Sequence, residues 1–460
     1  MMLEIPKGGR RLSAREGIAK AAEGRLDFNP RPRPLSPLME KGAISMEPLV
    51  QNLKVNADRL WESLMEMAKI GGTPKGGVCR LALSDEDKQA RDLFVRWCRE
   101  AGCTVTVDAM GNIFGRRKGK NDSLPPIMSG SHIDSQPTGG KFDGIYGVMA
   151  GLEVIRALND AGFETEAPIE VVAWTNEEGS RFAPAMTASG VFAGEFTLEY
   201  GLSRPDKDGK TIGEELKRIG YAGDAACGGR KVGAFFEAHI EQGPILEADK
   251  KTIGVVQGVQ GIRWYELEVT GMEAHAGTTP MRRRKDALVG VARMVSEAHR
   301  IGMAQLPFGR STVGMMQVKP NSRNTIPGHV FFTVDLRHPD ADTLIEMGRA
   351  FQASCQAIAD EIGLSLNFKE IWYSPPVKFD AKCVAAVENA AATLGMAHEP
   401  IISGAGHDAV YLSRVAPTAM VFIPCEDGIS HNEIEAATRT DCGAGAQVLL
   451  QAMVERANAQ

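Results

Sequence analysis

A histidine and two aspartates lie close together in a glycine-containing segment of the chain. They are His132, Asp134 and Asp143, and the pair Gly139-Gly140 separates the two aspartates. Imidazole nitrogens and carboxylate oxygens are common ligands of divalent metal ions. The glycine pair allows the chain to turn back, so that His132 and Asp143 can meet. The spacing predicts a metal-binding loop with these two residues as ligands.

Asp134 has a different predicted role. In an extended chain, residues two positions apart point to the same side. Asp134 can then accept the second ring N–H of His132 and fix the tautomer that leaves the other nitrogen free for a metal. A single histidine is more often a structural, hydrogen-bonded residue, but the surrounding motif favours the ligand role for His132.

The elements on either side of this loop would position it at one edge of a sheet. The apolar run at 124–130 predicts a buried strand, and the apolar residues from Ile145 onward recur at helical spacing and predict a helix at 145–160. His132 would then lie at the carboxyl end of a strand and Asp143 at the start of a helix. Ligands of open α/β sheets bind at that edge.

Three further groups with ligand chemistry follow predicted strands. Glu177 and Glu178 come directly after an apolar run at 168–175, His239 lies in another strand-like run, and His431 follows a third. Taken singly, adjacent glutamates are usually a solvated turn and a strand histidine is usually structural. Together with the first loop, these groups favour one shared metal site.

Composition limits the class of protein. The chain has 460 residues, of which 43% are hydrophobic and 24% are charged, with a net charge of −6. It can bury a large core and should contain two or more domains. The basic run at 282–285 is better explained as the exposed start of a helix than as a nucleic-acid site, and no apolar segment reaches membrane-spanning length. We therefore expect neither nucleic acid nor a membrane as a partner.

The eight cysteines are scattered and form no Cys-x-x-Cys pair. This pattern favours reduced thiols and a cytoplasmic protein, and it argues against a zinc knuckle. Residues 1–45 mix glycine, proline and arginine, and Met46 stands just before a helical segment. We expect residues 1–45 to be a disordered extension or an over-long start assignment.

The order of predicted elements indicates two domains, one inserted in the other. Strands that alternate with helices predict an α/β fold with a mostly parallel sheet flanked by helices. From about residue 258 the pattern changes to that of an α+β sandwich. Its predicted elements are a strand at 264–270, a helix at 280–300, strands at 311–314 and 330–336, and a helix at 340–362. We predict an inserted domain at 258–373 within a domain formed by 46–257 and 374–460.

As a set, these motifs resemble a known family of enzymes. The resemblance is to the two-metal aminopeptidase/aminoacylase superfamily (M20-type), in the branch that contains β-ureidopropionase, N-carbamoyl-L-amino-acid hydrolase and allantoate amidohydrolase. It extends from about residue 50 to the C-terminus and implies a zinc-aminopeptidase-like fold with an inserted lid and dimerisation domain. The matching motifs are Gly130–Asp134, Gly139–Gly144, Asn176–Phe182, His239–Pro244, Ala274–Pro280, Asn324–Gly328, Asp335–Pro339, Gly404–Asp408 and Ser430–Asn432.

The resemblance implies two metal ions that share a carboxylate. One ion would be bound by His132, Asp143 and His239, and the second by Asp143, Glu178 and His431, so that Asp143 bridges them. Such a pair can hold and acidify a water between its members. Zn²⁺ is the first choice, with Mn²⁺, Co²⁺ or Ni²⁺ as alternatives, because histidine and carboxylate ligands accept several divalent ions.

The same resemblance implies roles for residues around the metals. Glu177 would be the general base and His275 a donor to the developing oxyanion. Asn324 and Arg337 would bind the carboxylate of the substrate, since an arginine fork matches a carboxylate. Arg337 alone could also be explained by a surface ion pair. Further expected contacts are Gln242, Gly406 and His407, although His407 could equally be structural.

The implied reaction is hydrolysis of an N-carbamoyl (ureido) acid to the amino acid, CO₂ and ammonia. The motifs rank N-carbamoyl-β-alanine, an intermediate of pyrimidine degradation, first, N-carbamoyl-L-α-amino acids second and allantoate third. An inactive binding protein on the same scaffold is the remote alternative. The resemblance also implies a homodimer formed through the inserted domain, in which His275 reaches the active site of the partner chain.

Overall fold

The computed structural model describes residues 52–459. Its helices are α1 (Ala57–Met67), α2 (Asp85–Glu100), α3 (Ile145–Asp160), α4 (Thr187–Phe192), α5 (Leu198–Leu202), α6 (Ile212–Ile219), α7 (Ile245–Ala248), α8 (Ala287–Met303), α9 (Ala341–Ile362), α10 (Ala381–Thr393), α11 (Asp408–Leu412) and α12 (Arg439–Asn458), with 3₁₀ turns at Met281–Arg283 and Glu426–Gly428. The expectation for residues 1–45 lies outside the described residues.

The strands follow the same order along the chain. They are β1 (Thr104–Val107), β2 (Ile113–Arg117), β3 (Ile127–His132), β4 (Ile169–Trp174), β5 (Ala234–Ile240), β6 (Ile253–Val259), β7 (Gly261–Thr270), β8 (Ala274–His275), β9 (Arg310–Thr312), β10 (Met316–Lys319), β11 (Thr325–Ile326), β12 (His329–His338), β13 (Ser365–Ser374), β14 (Val377–Lys378), β15 (His398–Ser403) and β16 (Thr418–Ile423).

The larger sheet has a parallel centre. Its order is β1-β2-β4-β3-β5-β16-β6-β14, and β15 also pairs with β6. The neighbours β4, β3, β5 and β16 run parallel, and every residue of these four strands is buried. Burial at every position indicates that helices cover both faces. Antiparallel pairs occur further out, between β2 and β4 and between β16 and β6. The predicted α/β fold with a mostly parallel sheet flanked by helices is confirmed.

The smaller sheet has its own core. Its order is β10-β12-β7-β13, with β9 also paired to β12. Helices α8 and α9 pack against one face, where Leu267, Val334 and Phe351 are among the buried residues. Exposure alternates along β7 and β12, as expected for strands with one face covered. A second hydrophobic core supports a separate unit between residues 258 and 373, and these domain boundaries stay a prediction.

One predicted helix begins later than expected. The helix predicted at 280–300 begins at Ala287, because the side chain of Asp286 accepts the backbone N–H groups of Leu288 and Val289 and caps the first turn. Pro280 starts only the short 3₁₀ turn. The helices predicted at 145–160 and 340–362 are confirmed to within one residue.

No helix within residues 52–459 is long and apolar enough to cross a membrane.

Candidate metal centre and substrate cavity

The parallel centre of the large sheet gathers the predicted ligands at one edge. His132 is the last residue of β3, Glu178 follows β4, His239 lies near the end of β5, and His431 lies in the loop after β16. These strands are parallel neighbours, so their carboxyl ends meet at the same edge. Asp143 reaches this edge from the loop that precedes α3.

The first group of ligands surrounds one oxygen of Asp143. The Oδ1 atom lies 3.1 Å from Nε2 of His239 and 3.6 Å from Nε2 of His132. The donor atoms of these three buried residues all lie within 4.8 Å of one another. Three nitrogen and oxygen donors that converge in this way match one divalent metal ion.

The second group uses the other oxygen of the same carboxylate. Asp143 Oδ2 lies 3.3 Å from Nε2 of His431, and that nitrogen lies 3.5 Å from Oε2 of Glu178. The donor atoms of this group also lie within 4.8 Å of one another. Asp143 therefore offers one oxygen to each group, as a bridging carboxylate between two metals requires.

The charges of the site suit a cation. Burial alone would raise the pKa of Asp143, but its hydrogen bonds with His132, His239 and His431 hold that pKa well below the usual range. Burial alone would lower the pKa of His132, whereas the surrounding carboxylates, Glu177 first, raise it well above the usual range. The concentrated negative charge therefore favours positive charge at this position, and the residues fit a pair of divalent ions.

Backbone carbonyl groups orient the two buried histidines. Nδ1 of His132 lies 2.8 Å from the carbonyl oxygen of Asp134, and Nδ1 of His239 lies 2.9 Å from that of Ile240. A carbonyl accepts only from a protonated nitrogen, so both contacts favour the tautomer with Nδ1–H. Nε2 of each ring is left to face Asp143.

The predicted contact between the side chains of Asp134 and His132 is wrong. The carboxylate of Asp134 accepts the backbone N–H groups of Glu177 at 3.3 Å and Glu178 at 3.2 Å. The strand β3 ends at His132, so the alternation of side chains does not continue to Asp134. Asp134 thus holds the loop that carries the two glutamates, and only its backbone orients His132.

Glu177 faces the site without being part of either ligand group. It is 8% exposed, and its Oε2 lies 3.4 Å from Nε2 of His132. Burial raises the pKa of Glu177 well above its usual range, and the nearby Asp408 and Glu178 add to this effect. A carboxyl group that is easily protonated beside a metal site can accept and return a proton.

Glu435 is a site residue that the sequence analysis missed. It is 1% exposed, and its Oε1 accepts the backbone N–H groups of Phe142 and Asp143. Its other oxygen lies 3.1 Å from the hydroxyl of Ser430, which also lies 2.9 Å from Asp143 Oδ2. Burial raises the pKa of Glu435 to about 7. A glutamate in a loop that also contains Glu433 has no sequence signal that separates it from an exposed one.

A cavity of about 480 Å³ opens in front of the two ligand groups. Its lining includes the predicted contacts Gln242, Arg337, Gly406 and His407. The side-chain amide of Gln242 donates to Asp143 Oδ2 at 2.9 Å, and its backbone has a φ of +57°, an uncommon value for a residue with a side chain. Backbone strain of this kind is often found at functional sites.

His407 lines the cavity next to the predicted ligand His239. It is 2% exposed and packs edge-on against the ring of His239, with 4.6 Å between the ring centroids. Its Nε2 lies 2.9 Å from the hydroxyl of Ser403. Burial, together with the nearby His239, lowers the pKa of His407 well below the usual range, so the ring is neutral.

Arg337 reaches the cavity from β12 of the smaller sheet. Its Nη1 donates to the carbonyl oxygen of Gly404 at 2.9 Å, while its Nε and Nη2 contact the carboxylate of Asp335, Nη2 at 2.8 Å. The ion pair that the sequence offered as the alternative explanation is therefore present, and the guanidinium group still lines the cavity.

The two remaining predicted contacts lie elsewhere in the same chain. His275 and Asn324 are both exposed. His275 ends β8, Asn324 directly precedes the paired strand β11, and the backbone N–H of Ala276 donates to the carbonyl of Asn324 at 2.9 Å. Neither is among the described residues that line the cavity. Within one chain, the structure does not bring them to the ligand groups.

Comparison with known proteins places this arrangement in a family. The model of the peptidase family M20/M25/M40 matches residues 128–455. The chain belongs to this family. An N-carbamoyl-L-amino-acid amidohydrolase of Rhizobium meliloti is 50% identical over 407 residues, which cover 88% of this chain and 98% of the relative. A ureidoglycolate hydrolase of Arabidopsis thaliana is 32% identical over 425 residues, which cover 90% of this chain and 89% of the relative.

Solved structures agree with this assignment. The crystal structure of an amidase of the hydantoinase/carbamoylase family from Burkholderia multivorans is 67% identical and superposes with a TM-score of 0.87, covering 88% of this chain and 99% of that one. This M20 family member therefore falls in the branch that contains carbamoylases and allantoate amidohydrolases. It is an amidohydrolase, an enzyme that hydrolyses C–N amide bonds.

Proposed function

We propose that this amidohydrolase cleaves N-carbamoyl-L-amino acids to the amino acid, CO₂ and ammonia. The observation that carries the proposal is a single cavity that contains both a two-metal donor set and Arg337, the residue predicted to bind a carboxylate. A ureido acid has both features that such a cavity recognises, a hydrolysable carbonyl group and a carboxylate. The 50% identical relative that carries this activity in its name supports the same substrate class.

The proposed metal ligands are the two groups described above. His132, Asp143 and His239 would hold one divalent ion, and Asp143, Glu178 and His431 would hold the other, with Zn²⁺ as the first choice. When bound, such a pair lowers the pKa of a water and polarises the carbonyl group. Glu435 fixes the backbone of the bridging Asp143.

Glu177 is the proposed general base. It lies beside His132 at the edge of the site and is free of both ligand groups. Its carboxylate would take a proton from the attacking water and return it to the nitrogen that leaves. The raised pKa of Glu177 suits the return step, since burial favours the protonated form of this carboxyl group.

Arg337 is the proposed anchor for the substrate carboxylate. A guanidinium group binds a carboxylate through two parallel N–H bonds. In this structure the carbonyl of Gly404 and the carboxylate of Asp335 accept from Arg337. Asp335 would hold the side chain of Arg337 toward the cavity. The substrate carboxylate would replace the carbonyl oxygen of Gly404, which is uncharged and therefore the weaker acceptor.

The choice among ureido acids rests on the relatives. The motifs ranked N-carbamoyl-β-alanine first, but the relatives named above carry the names of an N-carbamoyl-L-amino-acid amidohydrolase and a ureidoglycolate hydrolase. We therefore place N-carbamoyl-L-α-amino acids before N-carbamoyl-β-alanine, and allantoate third.

We further propose that the partner chain of a homodimer supplies His275 and Asn324. Both residues are exposed, adjacent and outside the cavity lining of the described chain. A donor to the developing oxyanion must approach from the side of the substrate opposite the metals. A second copy of the chain, paired through the smaller sheet and its helices, would bring His275 to that side.

Ammonia release from a panel of ureido acids tests the proposed function. We expect release from N-carbamoyl-L-amino acids by metal-loaded protein, and loss of activity after chelation that returns when Zn²⁺, Mn²⁺ or Co²⁺ is added. Ammonia release from allantoate alone would contradict the proposed substrate class. No release from any ureido acid by protein that holds two metals per chain would contradict the proposed function.

A further inference from the structure

The smaller sheet presents large aromatic side chains on the face that its helices leave uncovered. Side chains alternate between the two faces of a strand. On β7, Tyr265 and Leu267 point to α8 and α9 and are buried, whereas Trp264 is 40% exposed. On the neighbouring strand β13, Trp372 is 41% exposed. The two indole rings contact each other edge to face, with 4.7 Å between their centroids.

These tryptophans lie inside the substrate cavity. Trp264 and Trp372, together with Ile262 from the same face, line the cavity that contains the metal-ligand groups. We call these three residues the aromatic face. Met186 and Val410, which come from other segments of the chain, also line this cavity and add to its apolar surface.

The register of the sheet relates the aromatic face to Arg337. Arg337 pairs with Ile262, and Asp335 pairs with Trp264, which in turn pairs with Trp372. The paired positions of Trp264 and Trp372 are therefore two residues along the strands from the paired positions of Arg337 and Ile262. Two residues of a strand span about 6.6 Å.

Arg337 and the two tryptophans are neighbours on the sheet, an arrangement that suits an α-amino acid. The carboxylate and the side chain of an N-carbamoyl-α-amino acid leave the same carbon atom. A carboxylate bound by Arg337 would therefore leave the side chain next to Trp264 and Trp372. N-carbamoyl-β-alanine has no side chain to place there, and N-carbamoylglycine has none either.

We propose that the aromatic face binds the side chain of the substrate and selects bulky apolar, above all aromatic, N-carbamoyl-L-amino acids. This inference rests on the proposed function. Two half-exposed tryptophans offer a large apolar surface with little side-chain entropy to lose, and offset or edge-to-face contacts with an aromatic substrate ring add to the apolar burial. The exposed indoles also lie in a wall of the cavity, where a small substrate reaches them directly.

The wild-type protein gives the first test. We expect kcat/KM for N-carbamoyl-L-phenylalanine and N-carbamoyl-L-tryptophan to exceed that for N-carbamoylglycine and N-carbamoyl-β-alanine by about 10²-fold or more, because each well-packed methylene alone discriminates about 10-fold or more. Values that are equal across this panel, or that fall as the side chain grows, would overturn the inference while leaving the proposed function intact. Hydrolysis of none of the panel would overturn both.

Substitution of the tryptophans gives the second test. We expect Trp264→Ala and Trp372→Ala each to lower kcat/KM for the aromatic substrates about 10-fold or more, with a change below about 2-fold for N-carbamoylglycine. Trp264→Phe keeps an aromatic ring and should retain most of the preference. An equal loss on all substrates would show that the tryptophans only stabilise the sheet, and would overturn the inference.

The chain offers a matched control for these variants. Ile371 precedes Trp372 on β13 and is also 41% exposed, but it is not among the described residues that line the cavity. Ile371→Ala should leave the ratio of kcat/KM between aromatic substrates and N-carbamoylglycine unchanged. A change in that ratio as large as that of the tryptophan variants would overturn the assignment of the aromatic face.

Discussion

At the scale of single residues, the site combines two kinds of carboxylate that lie next to each other in sequence. Glu178 belongs to a ligand group with Asp143 and His431, whereas Glu177 faces the site beside His132. The backbone N–H groups of both glutamates are held by the carboxylate of Asp134. One short loop thereby holds the proposed metal ligand Glu178 and the proposed general base Glu177.

The separation of these roles is testable. We expect Glu177→Gln to keep both metals and to lower kcat about 10²–10⁴-fold, because a general base is lost and no ligand is removed. The matched variant Glu178→Gln should lower metal content together with activity. Metal content is measured by elemental analysis of the purified protein. Loss of metal in Glu177→Gln would reverse the assignment of the two glutamates.

Arg337 allows a second prediction at this scale. Arg337→Lys should raise KM for N-carbamoyl-L-amino acids roughly 10-fold with little change in the free energy of unfolding, because lysine cannot form the paired contacts of a guanidinium group. Steady-state kinetics and thermal unfolding measure the two quantities. Arg293→Lys is the control, since Arg293 also forms an ion pair, with Glu361, on the exposed surface of α8. An unchanged KM in Arg337→Lys would place the carboxylate anchor elsewhere.

At the scale of elements, the junction between the loop and α3 has little free space. Gly144 has a φ of +68°, and a Cβ atom at this position would lie 2.2 Å from the ring of His132. Only glycine meets both requirements without moving a predicted ligand. The start of α3 and the carboxyl end of β3 are therefore fixed relative to each other by backbone geometry.

We expect Gly144→Ala to lower metal content and to cost more stability than a comparable glycine substitution. Gly162→Ala is the control, because Gly162 has a φ of +58° but a Cβ atom there would meet nothing within 4 Å. The control should cost about 1–2 kcal/mol for the left-handed conformation alone. Chemical denaturation and elemental analysis compare the two variants. Equal losses would show that the contact with His132 is unimportant.

The loop after β4 is also tied to α6 by an ion cluster around the buried Glu215. Glu215 accepts from Arg218 at 2.9 Å and from Arg181 at 2.7 Å. Burial alone would raise the pKa of Glu215, but the hydrogen bonds with the two arginines outweigh burial and lower it from the ordinary value of 4.5. A lowered carboxyl pKa stabilises the folded state above the ordinary pKa, and this contribution is lost as the pH falls through the lower folded-state value.

Glu215→Gln should therefore destabilise the protein by about 1–3 kcal/mol near pH 7, as expected for hydrogen bonds to charged groups. The difference from wild type should shrink as the pH falls below about 4.5. Denaturation curves recorded across this range measure it, with Glu199→Gln as an exposed control in α5. A difference that stays constant with pH would show that the ion cluster does not account for the effect.

At the scale of the whole molecule, one chain does not bring all of the predicted site residues together. The cavity contains both ligand groups and Arg337, whereas the exposed residues His275 and Asn324 are not among the described residues that line it. The proposed homodimer would complete each site with residues of the other copy. Such an arrangement makes catalysis depend on assembly.

Mixing two inactive variants tests this arrangement. If His275 acts in the partner's site, a dimer of one Glu177→Ala chain and one His275→Ala chain has one site with both groups intact. Random exchange makes half of the dimers mixed, each with one of two sites active, so about a quarter of wild-type activity should return. The control mixture of Glu177→Ala with Arg337→Ala should restore none, since both residues line the same chain's cavity. No recovery in the first mixture would contradict a shared site.

Several features could be predicted from the sequence because they depend on local pattern. The nearly continuous apolar runs predicted buried parallel strands, and helical periodicity placed α3 and α9 to within one residue. The predicted ligands His132, Glu178, His239 and His431 stood out because each lay in or just after a predicted strand, and Asp143 stood out because it lay at the predicted start of a helix. Parallel strands bring such ends to one edge of a sheet whatever the loops between them.

Contacts between segments that lie far apart in the sequence could be determined only from the tertiary structure. Glu435 was missed because its partners, the N–H groups of Phe142 and Asp143, lie far away in sequence. The predicted contact between the side chains of Asp134 and His132 was wrong because the strand ended two residues earlier than the alternation required. Trp264 and Trp372 have ordinary strand positions in sequence, and only the pairing of β7 with β13 brings them together in the cavity. Periodicity predicts which face a residue occupies, whereas the packing of remote segments determines what that face meets.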